Sequence, residues 1–170
     1  VWYWLDPETG VMATGLADVS GTKYCFASNG VMASGVWVLD GSDWYYADAS
    51  GVLSRGWMYN GNWYYLDPAT CKMAKGLQEI GGTKYFFNND SGAMAVGWGL
   101  DSDGSWYWGS PSGALATGWV KAGSWYYMDP ETYKMRTGWL ELGQSESLAR
   151  YYLTGSGAMV SDNWVLDGSD

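Results

Sequence analysis

The side chains that could recognise a ligand in this sequence are its aromatic rings. The chain has 13 Trp and 14 Tyr in 170 residues and no His at all. Without His, the commonest general base and metal ligand is missing, and the carboxylates fall mainly in turns, so no catalytic constellation emerges. Trp and Tyr faces are electron-rich and attract cations. The residue types therefore predict no enzymatic activity, cofactor or metal.

The charge of the chain points the same way. It carries 18 acidic and 9 basic residues, for a net charge of −9. Nucleic acid needs a basic face, so it is disfavoured as a partner, whereas a cationic ligand is compatible with this charge. No apolar run approaches the length of a transmembrane helix, and we expect no membrane insertion.

One unit of about 20 residues recurs along the chain, which is the signature of a repeat architecture. Its clearest copy, Trp119–Trp139, reads WVKAGSWYYMDPETYKMRTGW. A Gly-Trp pair opens the unit, an aromatic strand follows, and a tight turn leads to a short strand that carries Met or Leu. We predict that each unit is a β-hairpin made by the aromatic strand and the Met-bearing strand after it. The aromatic strands begin at Trp2, Lys23, Trp44, Trp63, Lys84, Trp106, Trp125 and Arg150.

A second, longer period spans three units. The first residue of the aromatic strand follows a pattern of Trp, base, Trp, and like units begin at Trp2, Trp63 and Trp125, in steps of 61 and 62. A Gly supplies the turn chemistry in six units. Because Cys71 and Tyr133 replace it in the other two, we expect that a positive φ is not obligatory at this position.

Alternation along a strand separates the aromatic residues into two sets. Side chains at the first and third strand positions share one face, and the second position points to the other. The second-position tyrosines are therefore predicted to be core residues. They are Tyr3, Tyr45, Tyr64, Tyr107 and Tyr126.

The pattern GW-x-G-x-WYYLD-x-G-x-M-x-x-GW resembles the choline-binding, or cell-wall-binding, repeats of bacterial surface proteins and phage lysins. The glucan-binding repeats of glucansucrases and the C-terminal repeats of clostridial toxins are similar. The resemblance covers essentially the whole chain. It implies an all-β fold, a left-handed β-solenoid of about eight stacked β-hairpins with three hairpins per turn, which agrees with the three-unit period. It also implies an extracellular location, on the bacterial cell surface or secreted.

The same resemblance implies where a ligand binds. The family places it between successive hairpins, against two Trp of one unit and a Tyr of the next, with a Met close by. We assign that Tyr to the third strand position, because this position shares a face with the strand Trp. The first three implied cages are Trp37, Trp44, Tyr65 and Met73; Trp98, Trp106, Tyr127 and Met135; and Trp119, Trp125, Tyr152 and Met159. The fourth has Phe in place of Tyr and comprises Trp57, Trp63, Phe86 and Met94.

Other junctions depart from the cage pattern. Leu16 and Leu77 stand where the Gly-Trp tryptophan belongs. Bases replace the strand Trp in three units, and a basic side chain would repel a cationic ligand. We expect no cage at these junctions. The bases are Lys23, Lys84 and Arg150.

The function that the resemblance implies is a non-catalytic cell-wall binding module for choline on teichoic acid or a similar surface polymer. A trimethylammonium head is apolar outside and positive throughout, so three rings bind it with an affinity of about millimolar, and several sites gain from avidity on a polymer. A carbohydrate-binding module for a glucan or host glycan stays open, because rings also stack on sugars and the Lys-Tyr-Phe units occur in glucan- and toxin-type repeats. A structural spacer and a homodimer also stay open.

We predict that residues 1–170 form one repeat-array domain, a fragment of a longer array. Trp37–Asp43 and Trp164–Asp170 both read WVLDGSD, and the second copy stops where an aromatic strand would begin. Cys25 and Cys71 lack metal-ligand spacing and are expected to be free thiols. The run 101–104 (DSDG) has too few ligands for calcium, and Glu141–Ala149 is expected to be an inserted loop.

Overall fold

The computed structural model describes residues 1–144, 147–161 and 163–165, and this part of the chain contains strands and no helix. Accordingly, no helix there has the length and apolarity of a membrane span. The first seven strands are β1 (Gly15–Val19), β2 (Thr22–Phe26), β3 (Val36–Asp40), β4 (Asp43–Ala47), β5 (Gly56–Asn60), β6 (Asn62–Leu66) and β7 (Gly76–Ile80). The next seven are β8 (Thr83–Phe87), β9 (Gly97–Leu100), β10 (Trp106–Gly109), β11 (Gly118–Ala122), β12 (Ser124–Met128), β13 (Gly138–Leu142) and β14 (Ala149–Leu153).

Consecutive strands pair antiparallel into seven two-stranded hairpins in the described residues. The turns explain the pairing. Ser20 and Gly21 join β1 to β2 with φ of 52° and 82°, and Gly81 and Gly82 join β7 to β8 with φ of 59° and 78°. Two central residues with positive φ form the type I′ turn, whose twist matches that of paired strands. These tight turns therefore explain why the strands on either side of them pair as hairpins.

The predicted partner of the aromatic strand was wrong. From Lys23 onward, each aromatic strand pairs with the strand before it, as β6 does with β5. The Met-bearing strand after it is reduced to one residue, since Met73 makes an isolated bridge to Leu66. The physical reason is the turn: the tight turn at Gly61 aligns β5 with β6 along its full length, whereas the longer turn from Asp67 brings back only one residue in register.

The Met or Leu position has a second role, because its backbone links consecutive hairpins. The N–H of Met135 donates to the carbonyl of Trp106 at 2.8 Å, and that of Met73 donates to the carbonyl of Trp44 at 2.8 Å. The acceptor is always the first residue of the aromatic strand in the previous repeat unit. The same bond joins Met32 to Trp2, Leu53 to Lys23, Met94 to Trp63, Leu115 to Lys84 and Met159 to Trp125.

The chain divides into two compact units. The first comprises Val1–Lys75 and Asp90–Met94, and the second comprises Gly76–Asn89 and the described residues from Ala95 onward. Each has its own apolar cluster. The cluster of the first unit contains Cys25, Tyr45, Ala47, Leu53 and Cys71, with Ala33 and Val38 packed against it. The cluster of the second unit contains Phe86, Tyr107 and Leu115, with Ala95 and Tyr133 packed against it.

The expectation about the turn position was also wrong. Cys71 and Tyr133 have φ of 66° and 64°, in the left-handed region that the glycines of the other units adopt. A left-handed backbone costs a non-Gly residue roughly 1–2 kcal/mol. Cys71 is buried in the first cluster, and Tyr133 packs against the second. Apolar packing therefore offsets the backbone strain at both positions.

The all-β class and its hairpin units are confirmed. The left-handed superhelix and the single array of 170 residues stay predictions. The inserted loop is shorter than predicted, because Glu141 and Leu142 belong to β13 and Ala149 begins β14. Residues 145 and 146 of that loop, and 166–170 of the second WVLDGSD copy, lie outside the described residues.

Candidate ligand-binding site

The two faces of each hairpin carry different side chains. In β3–β4 the cross-strand pair Trp37 and Tyr46 shares a face with Trp44, because these residues alternate along paired strands. Tyr45 points to the opposite side and is only 3% exposed. We call the side with the two tryptophans the forward face and the other the rear face.

The most complete cage, which we call the second cage, lies in the second compact unit. The rings of Trp98 and Trp106 are 6.0 Å apart and nearly perpendicular at 86°. Tyr126 of the next hairpin approaches Trp98 to 4.7 Å at 77°. These three rings and Met135 line a cavity of about 250 Å³, with Ser156 at its edge. Three π faces and a thioether therefore surround one small space.

The third cage repeats this geometry one hairpin later. Trp119 and Trp125 are 6.5 Å apart at 86°. Tyr151 of the following hairpin lies 4.8 Å from Trp119 at 68°. Met159 is held beside them, since its N–H donates to the carbonyl of Trp125 at 2.8 Å.

The first cage lies in the first compact unit and has the same tyrosine and methionine contacts. Tyr64 of β6 lies 4.8 Å from Trp37 at 63°. The N–H of Met73 donates to the carbonyl of Trp44 at 2.8 Å. Each of the three cages thus takes its tyrosine from the second strand position of the next hairpin.

The sequence analysis assigned that tyrosine to the third strand position, one residue after the position that the structure shows. Tyr65, Tyr127 and Tyr152 pack against the Trp of their own hairpins: Trp57 at 5.3 Å, Trp119 at 5.3 Å and Trp139 at 5.1 Å. In a stack of like units, the forward face of one hairpin meets the rear face of the next. The residue that completes a cage must therefore come from the rear face, where the second strand position points.

The predicted core role of the second-position tyrosines is correct for only some of them. Tyr45 and Tyr107 are buried, with exposures of 3% and 2%. Tyr64 and Tyr126 instead lie against cage tryptophans, and Tyr3 is 54% exposed.

The fourth predicted cage does not contain Phe86. Trp57 and Trp63 form the expected corner, 6.3 Å apart at 85°, and Met94 donates its N–H to the carbonyl of Trp63. Phe86, however, has no exposed surface and stacks on Tyr107 at 5.1 Å and 17°. It is a core residue of the second unit because it occupies the forward face of a hairpin that has lost its cage tryptophans.

A further site of the same kind was missed at the start of the chain. Trp2, Tyr24 and Met32 line a cavity of about 380 Å³, with Ser50 at its edge. They occupy the same repeat positions as Trp106, Tyr126, Met135 and Ser156. Tyr at the second strand position was the available signal, and it was overlooked because this site has no Gly-Trp tryptophan.

At the junctions of the Lys23 and Lys84 units, where the sequence predicts no cage, core packing fills the space between the hairpins. Cys25 takes the forward-face position at the first of them and is buried in the cluster that contains Tyr45. Two of these basic side chains contact residues in later repeats. Nζ of Lys23 donates to the carbonyl of Ala69 at 3.1 Å, and Nζ of Lys84 lies 4.9 Å from the Tyr133 ring centroid.

The acidic run 101–104 is held by hydrogen bonds and an ion pair within the protein. Nζ of Lys134 lies 2.8 Å from Oδ2 of Asp103, and this hydrogen bond is the main cause that lowers the pKa of Asp103 to about 2. Asp101 accepts hydrogen bonds from Asn89 and from the N–H of Ser102. Both thiols, Cys25 and Cys71, are free and buried.

Comparison with known proteins identifies the family. Residues 55–97 match the family described as choline-binding repeat, and residues 37–53 match the putative cell wall binding repeat. The choline-binding domain of CbpL from Streptococcus pneumoniae is 30% identical, with a TM-score of 0.66 over 90% of this chain and 80% of that one. The chain belongs to the choline-binding repeat family.

Two other choline-binding proteins of Streptococcus pneumoniae are similar over most of the chain. CbpJ is 32% identical with a TM-score of 0.78, over 98% of this chain and 58% of that one. Choline binding protein F, solved in the presence of a peptidoglycan analogue, is 32% identical with a TM-score of 0.73, over 92% of this chain and 55% of that one. This choline-binding repeat chain thus spans little more than half the length of either. No curated protein sequence matches it.

Proposed function

We propose that this choline-binding repeat chain is a non-catalytic module that holds quaternary ammonium groups of a cell-wall polymer in its aromatic cages. The observation that carries the proposal is the second cage. Its two tryptophans stand at 86° to each other, and Tyr126 and Met135 close the same cavity. A trimethylammonium head in that corner touches several π faces at once.

The energy of each cation–π contact determines the affinity that we expect for the ligand. A cation over an aromatic face gains about 0.5–2 kcal/mol, so three rings give a gross few kcal/mol and a single-site Kd of about millimolar. Several cages on one polymer raise the overall affinity through effective concentration. The proposed ligand is therefore a polymer that repeats the choline group, such as a teichoic acid.

The family and its relatives support the proposed setting. The cell wall binding repeat matches residues 37–53, and choline binding protein F was solved with a peptidoglycan analogue. We place the chain on the bacterial cell surface or in the secreted fraction, as one repeat array.

A titration with choline chloride tests the proposal. In protein labelled with ¹³C at the Met methyl groups, we expect the Met135 signal to shift and saturate with an apparent Kd of about millimolar. Trp106→Leu should remove that saturable shift, because the cage loses one of its two perpendicular faces. Trp106 is 37% exposed, so the fold should survive, and the melting temperature checks this.

Trp139→Leu is the matched control. Trp139 is 48% exposed and packs on Tyr152, but Arg150 replaces the strand Trp of its hairpin. We expect this variant to keep the Met135 response. A wild-type chain whose Met135 signal ignores choline and tetramethylammonium would contradict the proposed function.

Carbohydrate binding is the second candidate, and one cavity favours it. Trp57, Arg55, Asp48 and Thr22 line a space of about 520 Å³ in the first unit, with Met58 beside them. An aromatic face surrounded by polar groups suits a sugar ring. An isomalto-oligosaccharide that shifts the Met58 signal, with loss in Arg55→Ala, would support this function, and a response at Met135 to choline alone would oppose it.

A further inference from the structure

The residue that faces the strand Trp across each hairpin differs among the cages. In the second cage Leu100 pairs with Trp106. In the third cage Lys121 pairs with Trp125. Paired residues share a face and lie within reach of each other, so this position flanks the cage. At the first cage it is Leu39, and in β5–β6 it is Tyr59.

Lys121 places a positive charge against a cage ring. Its Nζ lies 5.2 Å from the centroid of the Trp125 ring, within the range of a cation–π contact. Lys121 forms no ion pair with any residue that the structure describes, whereas Arg150, in the next hairpin, is paired with Glu141 at 2.7 Å. Among the described residues, the Lys121 charge beside the third cage therefore has no ion-pair partner.

The ring geometry of the two cages is otherwise alike. The tryptophan pairs both cross at 86°, with centroids 6.0 Å apart in the second cage and 6.5 Å in the third. The tyrosines approach at 4.7 Å and 4.8 Å. Lys121 in place of Leu100 is thus a charge difference between two sites of nearly equal shape.

We propose that Lys121 makes the third cage selective for quaternary ammonium groups that carry an anion, such as phosphocholine, over bare cations such as choline. This inference rests on the proposed function. Lys121 competes for the Trp125 face and repels a second cation, which weakens choline. The same ammonium attracts the phosphate of phosphocholine, which offsets that loss. The second cage, with Leu100, lacks both effects.

The expected size follows from the distances. A ligand cation in the cage and the Lys121 ammonium both lie close to the Trp125 ring, where two charges near a protein surface repel each other most strongly at low salt. We expect the ratio Kd(choline)/Kd(phosphocholine) to be about tenfold larger at the third cage than at the second, at low ionic strength.

The experiment reads the two cages separately in the full chain. With ¹³C-methyl Met, Met135 reports the second cage and Met159 the third, while choline chloride and phosphocholine are titrated at equal ionic strength. Lys121→Leu should lower the ratio at Met159 to the value at Met135. Leu100→Lys should raise the ratio at Met135, and Lys121→Arg should keep the wild-type ratio at Met159. Lys121 is on the exposed surface, so melting temperatures should change little.

The outcomes separate this inference from the proposed function. If Met135 responds to both ligands and Lys121→Leu leaves the ratio at Met159 unchanged, the charge selectivity is overturned and the proposed function stands. If the wild-type ratios at the two cages are equal, the inference is likewise overturned. If neither signal responds to either ligand, the proposed function fails and this inference fails with it.

Discussion

At the scale of single residues, the two apolar clusters place side chains of different size at matched repeat positions. Phe86 in the second cluster takes the position that Cys25 has in the first, and Gly99 takes that of Val38. A Cβ on Gly99 would lie 2.6 Å from Cδ1 of Phe86, which is closer than packing permits. A large ring at one position therefore requires a glycine at the other.

This exchange predicts that Cys25→Phe destabilises the chain and that Val38→Gly partly restores it. Forcing a ring against Val38 overpacks a buried site, at a cost of about 1–3 kcal/mol. The free energy of unfolding in urea measures both variants. The double variant should be more stable than Cys25→Phe alone, because the space for the ring is then open. Equal stability of the two would show that Val38 does not limit the ring at position 25.

At the scale of the repeat unit, four methionines pack against the turn of the next repeat: Met12, Met32, Met73 and Met135. A Cβ on Gly51 would collide with the side chain of Met32, and a Cβ on Gly92 would collide with that of Met73. Where the preceding unit has Leu53 in place of Met, the turn residue is Cys71, and the two share one cluster. The turn glycines thus serve the packing of Met as well as the positive φ.

We therefore predict that Gly51→Ala destabilises the chain more than Gly56→Ala does. Both glycines have positive φ, 90° and 73°, so both variants carry backbone strain of roughly 1–2 kcal/mol. Only Gly51 has a neighbour that a methyl group would strike, since nothing lies within 4 Å of a Cβ on Gly56. Thermal or urea unfolding gives the difference, and equal losses would contradict the contact with Met32.

At the scale of the whole molecule, carboxylates in the turns tie stability to pH. Oδ1 of Asp67 accepts hydrogen bonds from the N–H groups of Thr70 and Ala69, and the bond from the Thr70 N–H is the main cause that lowers the pKa of Asp67. Asp6 and Asp129 occupy the same turn, where backbone bonds from Thr9 and Thr132 lower their pKa values. A lowered pKa in the folded state means that the ionised form stabilises the fold.

The sign of the pH dependence follows from these shifts. The contribution of Asp103 is present above its ordinary pKa of 3.8 and is lost as the pH falls towards its folded value of about 2. We expect the melting temperature to fall below pH 4, approximately, and the difference between wild type and Asp103→Asn to vanish by pH 2, approximately. Circular dichroism at several pH values measures both, and a difference that persists at the lowest pH would contradict the role of the Lys134 pair.

Much of this protein can be read from its sequence because the information is local. The repeat of about 20 residues, the aromatic strands, the free thiols and the closed junctions at Lys23 and Lys84 all follow from residue types and spacing. Alternation correctly separated the residues of each strand into two faces. Even the cage tryptophans Trp98 and Trp106 were identified, and the structure brings them together.

The choice between Tyr126 and Tyr127 was decided only by the tertiary structure. Alternation fixes which residues of one strand share a face, but it carries no information about which faces of two hairpins meet. The stacking of forward face on rear face selects Tyr126 for Trp98. In the same way, the length of each turn, rather than the composition of the strands, decided that β6 pairs with β5 and that Met73 keeps a single bridge. Residue types and spacing determined the strands and turns, and contacts between successive hairpins determined which residues form each cage.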